Sequence, residues 1–369
     1  MGFDDPGLPS GGNIYDRRVC AGLAEAGWEV LVASVAAAEG PGQSSAAAEG
    51  PGQSSAAAEG PGQSGAAAAD LARIVSAIPD GETVLIDGLI ASAAAAQLLP
   101  HTGRIRMVVL LHMPLVTALD THHDASAERS ERVVLRAAAG VVVTSEWTRR
   151  QVLARYAIPA GRVHVARPGV EKVAVPARPV RGHLICVGVL GPHKGQDLLV
   201  EALAGLADRD WHCLLAGPLD RHPDFVEQLQ TRITHLGYGH RVQLSGVLTG
   251  AALSHAYTTA DLLVAPSRSE TYGMAVTEAL AHGLPVIAAA VGGLPEALGS
   301  TADGTRPGQL IPPGDQVALA AALGDWLGDE RHRHRLRAAA RQRRSTLRGW
   351  ETTIQEIANA LTAQCQRTG

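Results

Sequence analysis

Residues 261–298 read DLLVAPSRSETYGMAVTEALAHGLPVIAAAVGGLPEAL, and the order of their apolar runs and breakers decides the fold. Leu262-Leu263-Val264-Ala265 is a short apolar run of the kind that forms a strand covered on both faces of a parallel sheet. Pro266-Ser267-Arg268-Ser269 ends it. A helical pattern then runs from Met274 to Ala281, and His282-Gly283 followed by Pro285 stops it. Leu284–Ala289 reads as a second buried strand, and Gly292-Gly293 turns the chain into a short helix around Pro295-Glu296. This succession predicts an open α/β sheet.

Two carboxylates fall inside the segment. Glu270 lies on the loop at the carboxyl end of the first strand, where doubly wound sheets bind ligands. Glu278 lies about one and a half turns into the following helix. The amides around Gly273, Met274 and Ala275 are the free N–H groups of that helix's first turn, where the helix dipole also favours an anion. A nucleotide sugar needs this combination: a cradle for its diphosphate, flanked by acceptors for sugar and ribose hydroxyls. Either glutamate taken alone reads more readily as a solvated side chain, so the weight rests on the whole segment being in register.

In that register the segment resembles the E-x7-E region of retaining glycosyltransferases of family 4, whose fold is GT-B. The shared pattern is P-S-x-x-E-x-aromatic-G, four residues, E-A, and then G-x-P-V before an apolar strand; residues 266–288 match it at nearly every position. The resemblance implies that Glu270 binds the donor sugar hydroxyls and Glu278 the ribose. It also implies that the backbone from Tyr272 through Gly273, Met274 and Ala275 to Val276 meets the sugar and the distal phosphate.

Upstream, His183–Val187 reads as a strand, and Gly188-Val189-Leu190-Gly191-Pro192-His193-Lys194-Gly195 leads into a helix over Gln196–Ala207. The loop is neither a G-K-S/T phosphate loop nor a dinucleotide G-x-G-x-x-G. In the resembled family it reads G-R-L-x-x-x-K-G, with the Arg and Lys on the diphosphate. Gly188 and Lys194 match, whereas Val189 stands where the Arg is expected, so half of the charge clamp is missing. Strands over Trp211–Ala216 and Val242–Ser245 alternate with helices over Phe225–Leu236 and Ala251–Ala260, and the resemblance places the Gly246-Val247 turn near the base. Asp208-Arg209-Asp210 precedes a strand, at the wrong end of the sheet for a metal-binding D-x-D, and reads as a solvated loop. Helices follow over Gln316–Leu327, Glu330–Arg344 and Trp350–Ala363; in the family such a last helix crosses back onto the first domain.

The first half repeats the strand–helix alternation. Pro9-Ser10-Gly11-Gly12-Asn13 reads as a Gly-rich loop before a helix over Ile14–Ala26 and a strand over Trp28–Ser34. The resemblance brings Gly11 and Gly12 close to the donor diphosphate. Residues 1–8 cannot form a strand, so the first strand of a doubly wound domain is expected to be missing. Residues 36–65 are three copies of a ten-residue unit, AAAEGPGQS followed by Ser or Gly, read as a disordered insertion because a Pro-Gly in each copy opposes regular helix. Strands are predicted over Thr83–Asp87, Arg106–Leu111, Gly140–Thr144 and Arg162–Arg167, with helices over Ala91–Leu99, Glu128–Ala139 and from Ser145 to Tyr156. His112 follows the second of those strands, and the resemblance makes it the candidate contact to the transferred sugar; a loop histidine with no role is the other reading. His122, His123 and Asp124 lack metal-ligand spacing and read as an acceptor-side loop.

The expected plan is therefore α/β, with two Rossmann-like doubly wound domains facing across a cleft. Residues 1–171 form the acceptor side, 172–181 a linker, 182–345 the nucleotide-sugar domain and 346–369 a crossover helix. With 369 residues there is core enough for both. A net charge of −4 gives no nucleic-acid signature. Scattered Cys20, Cys186, Cys213 and Cys365, with no signal-like N-terminus and no apolar run of membrane length, point to the cytoplasm. The function implied is transfer of a sugar from a UDP- or GDP-sugar to a glycan, lipid or small-molecule acceptor, with retention. Lys194, Glu270 and His112 act in catalysis, and no metal or other cofactor is required. Peripheral contact with a membrane stays open. A catalytically impaired or truncated nucleotide-sugar-binding protein is the alternative, on the strength of Val189 and the absent strand; a sugar epimerase or phosphorylase of the same fold is a third reading.

Overall fold

The computed structural model describes residues 10–33, 62–115, 125–173 and 179–365. In the first half the elements are α1 (Gly11–Glu25), α2 (Gly62–Ala77), β1 (Thr83–Asp87), α3 (Gly88–Ala93), α4 (Ala95–Leu98), β2 (Arg106–Leu111), α5 (Ala125–Ala137), β3 (Gly140–Val143), α6 (Glu146–Tyr156) and β4 (Val163–Val165). The four strands form one parallel sheet in the order β1-β2-β3-β4. Because side chains alternate across a strand, β2 feeds two cores. Met107, Val109 and Leu111 pack on the side of α2 and α5. Val108 and Leu110 pack on the opposite side against Tyr15, Val19 and Leu23 of α1.

The second half contains β5 (His183–Val187), α7 (Gln196–Ala204), β6 (His212–Ala216), α8 (Pro223–His235), β7 (Val242–Gly246), α9 (Gly250–Thr259), β8 (Leu262–Ala265), α10 (Met274–Ala281), β9 (Val286–Ala289), α11 (Leu294–Leu298), β10 (Gly308–Ile311), α12 (Gln316–Gly328), α13 (Glu330–Arg344) and α14 (Trp350–Cys365). The sheet order is β7-β6-β5-β8-β9-β10, every pair parallel. The order reverses between β5 and β8, so the ligand crevice of such a sheet opens outside the carboxyl ends of these two strands. They are in register only at Leu184↔Leu262 and Ile185↔Leu263 before they part, which widens that crevice.

α14 returns to the first sheet, where Trp350, Ile357 and Leu361 complete the core over α1. Polar contacts link the two halves. Ser145 Oγ donates to Thr271 O at 2.7 Å, and Arg167 is bonded to Glu296 and lies 3.6 Å from Glu146. Among the described residues no helix is long and apolar enough to cross a membrane.

The structure corrects several expectations. Residues 28–33 of the Trp28–Ser34 strand have no regular structure, and Leu31 is 89% exposed. A strand needs a neighbour for its ladder, and among the described residues no strand pairs with this segment. Gly11 and Gly12 are not in a loop: Ser10 caps α1 by accepting from Asn13 N at 3.1 Å, so both lie in its first turn. The single helix expected over Ala91–Leu99 starts early, at Gly88, because Asp87 caps Leu89 and Ile90, and it is broken into two at Ala94, where the backbone leaves the helical region. Gly62–Gly65, the end of the repeats, open α2; residues 36–61, His122, His123, Asp124 and the centre of the linker lie outside the described residues.

Candidate active site

The crevice is lined by two loops. The first leaves β5. Gly188 adopts φ +149°, and Lys194 extends over it, with Cε 3.4 Å from where a Cβ would sit. The second leaves β8 and reaches α10. Arg268 in the second loop clamps the first: its guanidinium forms paired bonds of 2.8 and 2.7 Å with the Asp197 carboxylate and one of 2.7 Å with Pro192 O, while its N–H donates to His193 O at 2.7 Å. The Lys194 Nζ thereby comes to 2.6 Å from Glu270 Oε2 in a charge-assisted bond, both side chains about one-fifth exposed. The loops after β6 and β7 continue the same edge, with Gly217 N donating to Gly246 O at 2.9 Å and Val247 36% exposed beside it.

Glu270 is held from behind by Gly292-Gly293, whose Gly293 N–H donates to Glu270 O at 3.0 Å. Gly273, with φ +103°, is the N-cap of α10 and offers it no side-chain cap. Val276 N is the first amide of the turn with a bond, to Gly273 O at 3.0 Å, which leaves the Met274 and Ala275 amides without a partner inside the helix. The Tyr272 side chain is buried in the core beside Val276 and Leu294, and burial pushes its phenol up to about 12.

Six residues after Tyr272, Glu278 accepts a 2.8 Å bond from Tyr257 OH, and His282 stacks on Tyr257 with ring centroids 5.0 Å apart. Burial raises the Glu278 carboxyl above its ordinary range, against the opposing effect of the Tyr257 bond. Burial and the Glu278 charge hold the Tyr257 phenol well above its usual value, so it stays a donor.

Across the cleft, His112 follows β2 and lies edge-on to Tyr15, with ring centroids 5.3 Å apart. Its Nε2 is 2.8 Å from Asp16 Oδ1 and 3.9 Å from Asp87 Oδ2. Burial works to lower the imidazole pKa, but the Asp16 bond and the charges of Asp16 and Asp87 outweigh it, and the shift is upward. Asp87 itself is raised by burial, with the His112 charge opposing. A Cβ on Gly12 would lie 3.4 Å from His112, and one on Gly11 would lie 3.4 Å from Met274 Sδ. The start of α1 is thus wedged between His112 and the start of α10. Asp16, Asp87 and His112 are the only trio among the described residues whose ligand-type atoms all lie within 4.8 Å of one another. Within it only Asp16 and His112 share a hydrogen bond; Asp87 caps α3 through its other oxygen.

Residues 9–172 match the family described as Glycosyltransferase Family 4, and residues 176–343 match Glycosyl transferases group 1. The chain belongs to the family 4 glycosyltransferases. The D-inositol 3-phosphate glycosyltransferase of Jonesia denitrificans is 32% identical over 234 residues, 58% of this chain and 54% of that protein. The protein of the same name in Kineococcus radiotolerans is 30% identical over 265 residues, 64% and 60% of the two chains. This family 4 chain spans half to three-fifths of the length of such curated relatives. Among solved structures, sucrose-phosphate synthase from Thermosynechococcus elongatus superposes with a TM-score of 0.73 at 23% identity, covering 98% of this chain and 94% of the other. Anabaena HepE, solved with UDP and glucose, gives 0.67 at 22% identity over 80% and 81%. Both share the two-domain GT-B architecture with this family 4 chain.

The structure therefore brings Gly188, Lys194, Glu270, Gly273, Met274 and Ala275 to one crevice, with Gly11, Gly12 and His112 facing it. Three contributors escape a reading of the sequence. Tyr257 lies among small residues in α9 with no pattern to single it out. Arg268 looks like any loop cation. Asp16 sits one turn into a helix and acquires a partner 96 residues away only through tertiary folding.

Proposed function

We propose that this glycosyltransferase-family chain transfers a sugar from a nucleoside diphosphate sugar to an acceptor, with retention at the anomeric carbon. The observation that carries the reading is the Lys194–Glu270 contact at the mouth of the β5/β8 crevice, beside the uncapped start of α10. A diphosphate seated on the Met274 and Ala275 amides meets Lys194, which can exchange its bond to Glu270 for phosphate oxygens. Glu270 is then free to accept from sugar hydroxyls. Glu278, fixed by Tyr257, takes the ribose, and His112 meets the sugar from the opposite wall.

In the chemical step the bond from the anomeric carbon to the phosphate oxygen breaks and one to the acceptor oxygen forms on the same face. The acceptor proton passes to the leaving diphosphate, whose growing charge falls on Lys194 and the helix amides. None of the crevice carboxylates is assigned as a covalent nucleophile; Glu270 and Glu278 are both hydroxyl acceptors in this reading. No step calls on a metal, so turnover should survive excess chelator. HepE with UDP and glucose supports a uridine donor; a guanosine donor fits the same phosphate chemistry. The acceptor is a glycan, a lipid or a small molecule. A reducing, cytoplasmic setting suits Cys186 and Cys213, two buried thiols outside any disulfide.

The test is release of nucleoside diphosphate from UDP-glucose and a panel of other UDP- and GDP-sugars, with and without sugar acceptors. Turnover of at least one donor, stimulated by an acceptor and insensitive to EDTA, is expected. Val189 in place of an arginine favours a second reading, a protein that binds donors and turns none over; binding without release would establish it. Glu278→Gln keeps an acceptor for Tyr257 and should leave the fold intact. Nucleoside diphosphate affinity should fall about tenfold by calorimetry, as a charged acceptor for two hydroxyls becomes neutral. Unchanged affinity would remove Glu278 from the ribose site.

A further inference from the structure

Val189 leaves the sheet side of the cleft with Lys194 as the cation placed at its mouth, and the opposite wall holds an arrangement that supplies another. His112 is enclosed by Asp16 and Tyr15 from α1 and by Asp87 from the junction of β1 and α3. Asp87 is already engaged, capping α3 through Leu89 N at 2.9 Å. Asp16 makes the direct bond, at 2.8 Å, to Nε2. A carboxylate at this distance requires a proton on Nε2, which fixes the ring orientation and leaves Nδ1 as the nitrogen available to a ligand. Two carboxylates facing one imidazole also favour its cationic form, in which Nδ1 carries a proton and donates.

We propose that Asp16 is the positioning residue of His112, locking Nε2–H so that Nδ1 is presented to the donor as a charged hydrogen-bond donor. The proposal rests on the reading of the cleft as a nucleotide-sugar site. Asp16 touches no substrate; it acts through the ring. The start of α1, which carries Gly11 and Gly12 between His112 and Met274, sets the distance between this donor and the diphosphate cradle.

The experiment compares wild type, Asp16→Asn, Asp16→Glu, His112→Gln and the Asp16→Asn/His112→Gln double variant, all as the full chain. UDP release from UDP-glucose gives the kinetics, and the imidazole nitrogens are followed by ¹⁵N NMR in the unliganded protein, with His112→Gln assigning the signal among fifteen histidines. Asp16→Asn should lower kcat about ten- to hundredfold with donor KM little changed, since a misplaced donor costs most in the transition state. Asp16→Glu should recover part of it. The double variant should be no worse than His112→Gln. His112 should lose its second proton at lower pH in Asp16→Asn than in wild type. The raised folded pKa means its contribution to stability is present below the unfolded value and lost as pH rises through the folded one. The Tm gap between wild type and Asp16→Asn should therefore be wide at pH 6 and narrow at pH 9. Wild-type kcat in Asp16→Asn, multiplicative losses in the double variant, or an unmoved His112 titration would each overturn the proposal. If His112→Gln turns over normally while the His112 titration still depends on Asp16, the contact stands, the reading of the donor site fails, and the proposal falls with it.

Discussion

Lys194→Ala is expected to lower kcat/KM about thirtyfold or more, a loss of about 2 kcal/mol in transition-state stabilisation. Two effects add. The variant removes the one lysine that reaches the crevice from the β5 loop, where Val189 offers no second charge. It also strands Glu270, only 17% exposed, without the cation 2.6 Å away. An unpaired carboxylate beside a diphosphate repels it, so donor binding should weaken together with turnover. Lys194→Arg should recover only part of the activity, because the planar guanidinium does not replace a compact ammonium over Gly188. Steady-state kinetics with wild-type values in Lys194→Ala would take Lys194 out of the mechanism.

The second large effect is expected from a glycine that touches no ligand. A Cβ on Gly292 would lie 1.6 Å from Glu270 O, and the residue has φ +59°. Gly292→Ala therefore combines left-handed strain of about 1–2 kcal/mol with a backbone clash that nothing nearby can relieve. The loop carrying Glu270 has to shift, and a displacement of about 1 Å there should cost roughly a hundredfold in kcat. Gly304→Ala is the control: φ is +84° but nothing lies within 4 Å of its added Cβ. It should show the strain alone, a few degrees in Tm with activity retained. Equal behaviour of the two variants would mean that the Gly292 contact does not hold Glu270 in place.

Much of this arrangement can be read from residue order. Leu262–Ala265, His183–Val187 and Arg106–Leu111 are strands over the ranges their apolar runs predict, because strands buried on both faces leave few polar positions to blur their ends. Thr83–Asp87 also keeps its predicted range, although it is an edge strand in which only Ile86 is buried. Met274–Ala281 likewise keeps its predicted bounds, set by Gly273 and by His282-Gly283. Trp28–Ser34 fails for the complementary reason. Trp28 and Val30 rest against the core under α1, but side-chain pattern alone does not make a strand without a paired backbone. The candidate site divides in the same way. Lys194, Glu270 and the α10 amides sit at the ends of elements whose order is local, so their meeting follows from the switch between β5 and β8. The Asp16–His112 and Tyr257–Glu278 bonds depend on how whole helices lie on the sheets, and spacing along the chain carries no trace of that.

The central claim is that the crevice between the β5 and β8 loops holds a diphosphate on Lys194 and the start of α10. Calorimetric titration of wild type with UDP, UMP, GDP and GMP tests it most directly. For at least one base the diphosphate should bind about tenfold or more tightly than the matching monophosphate, since only the diphosphate spans both the helix amides and the lysine. Equal affinity for the diphosphate and monophosphate of each base, or binding of none of the four, would contradict it.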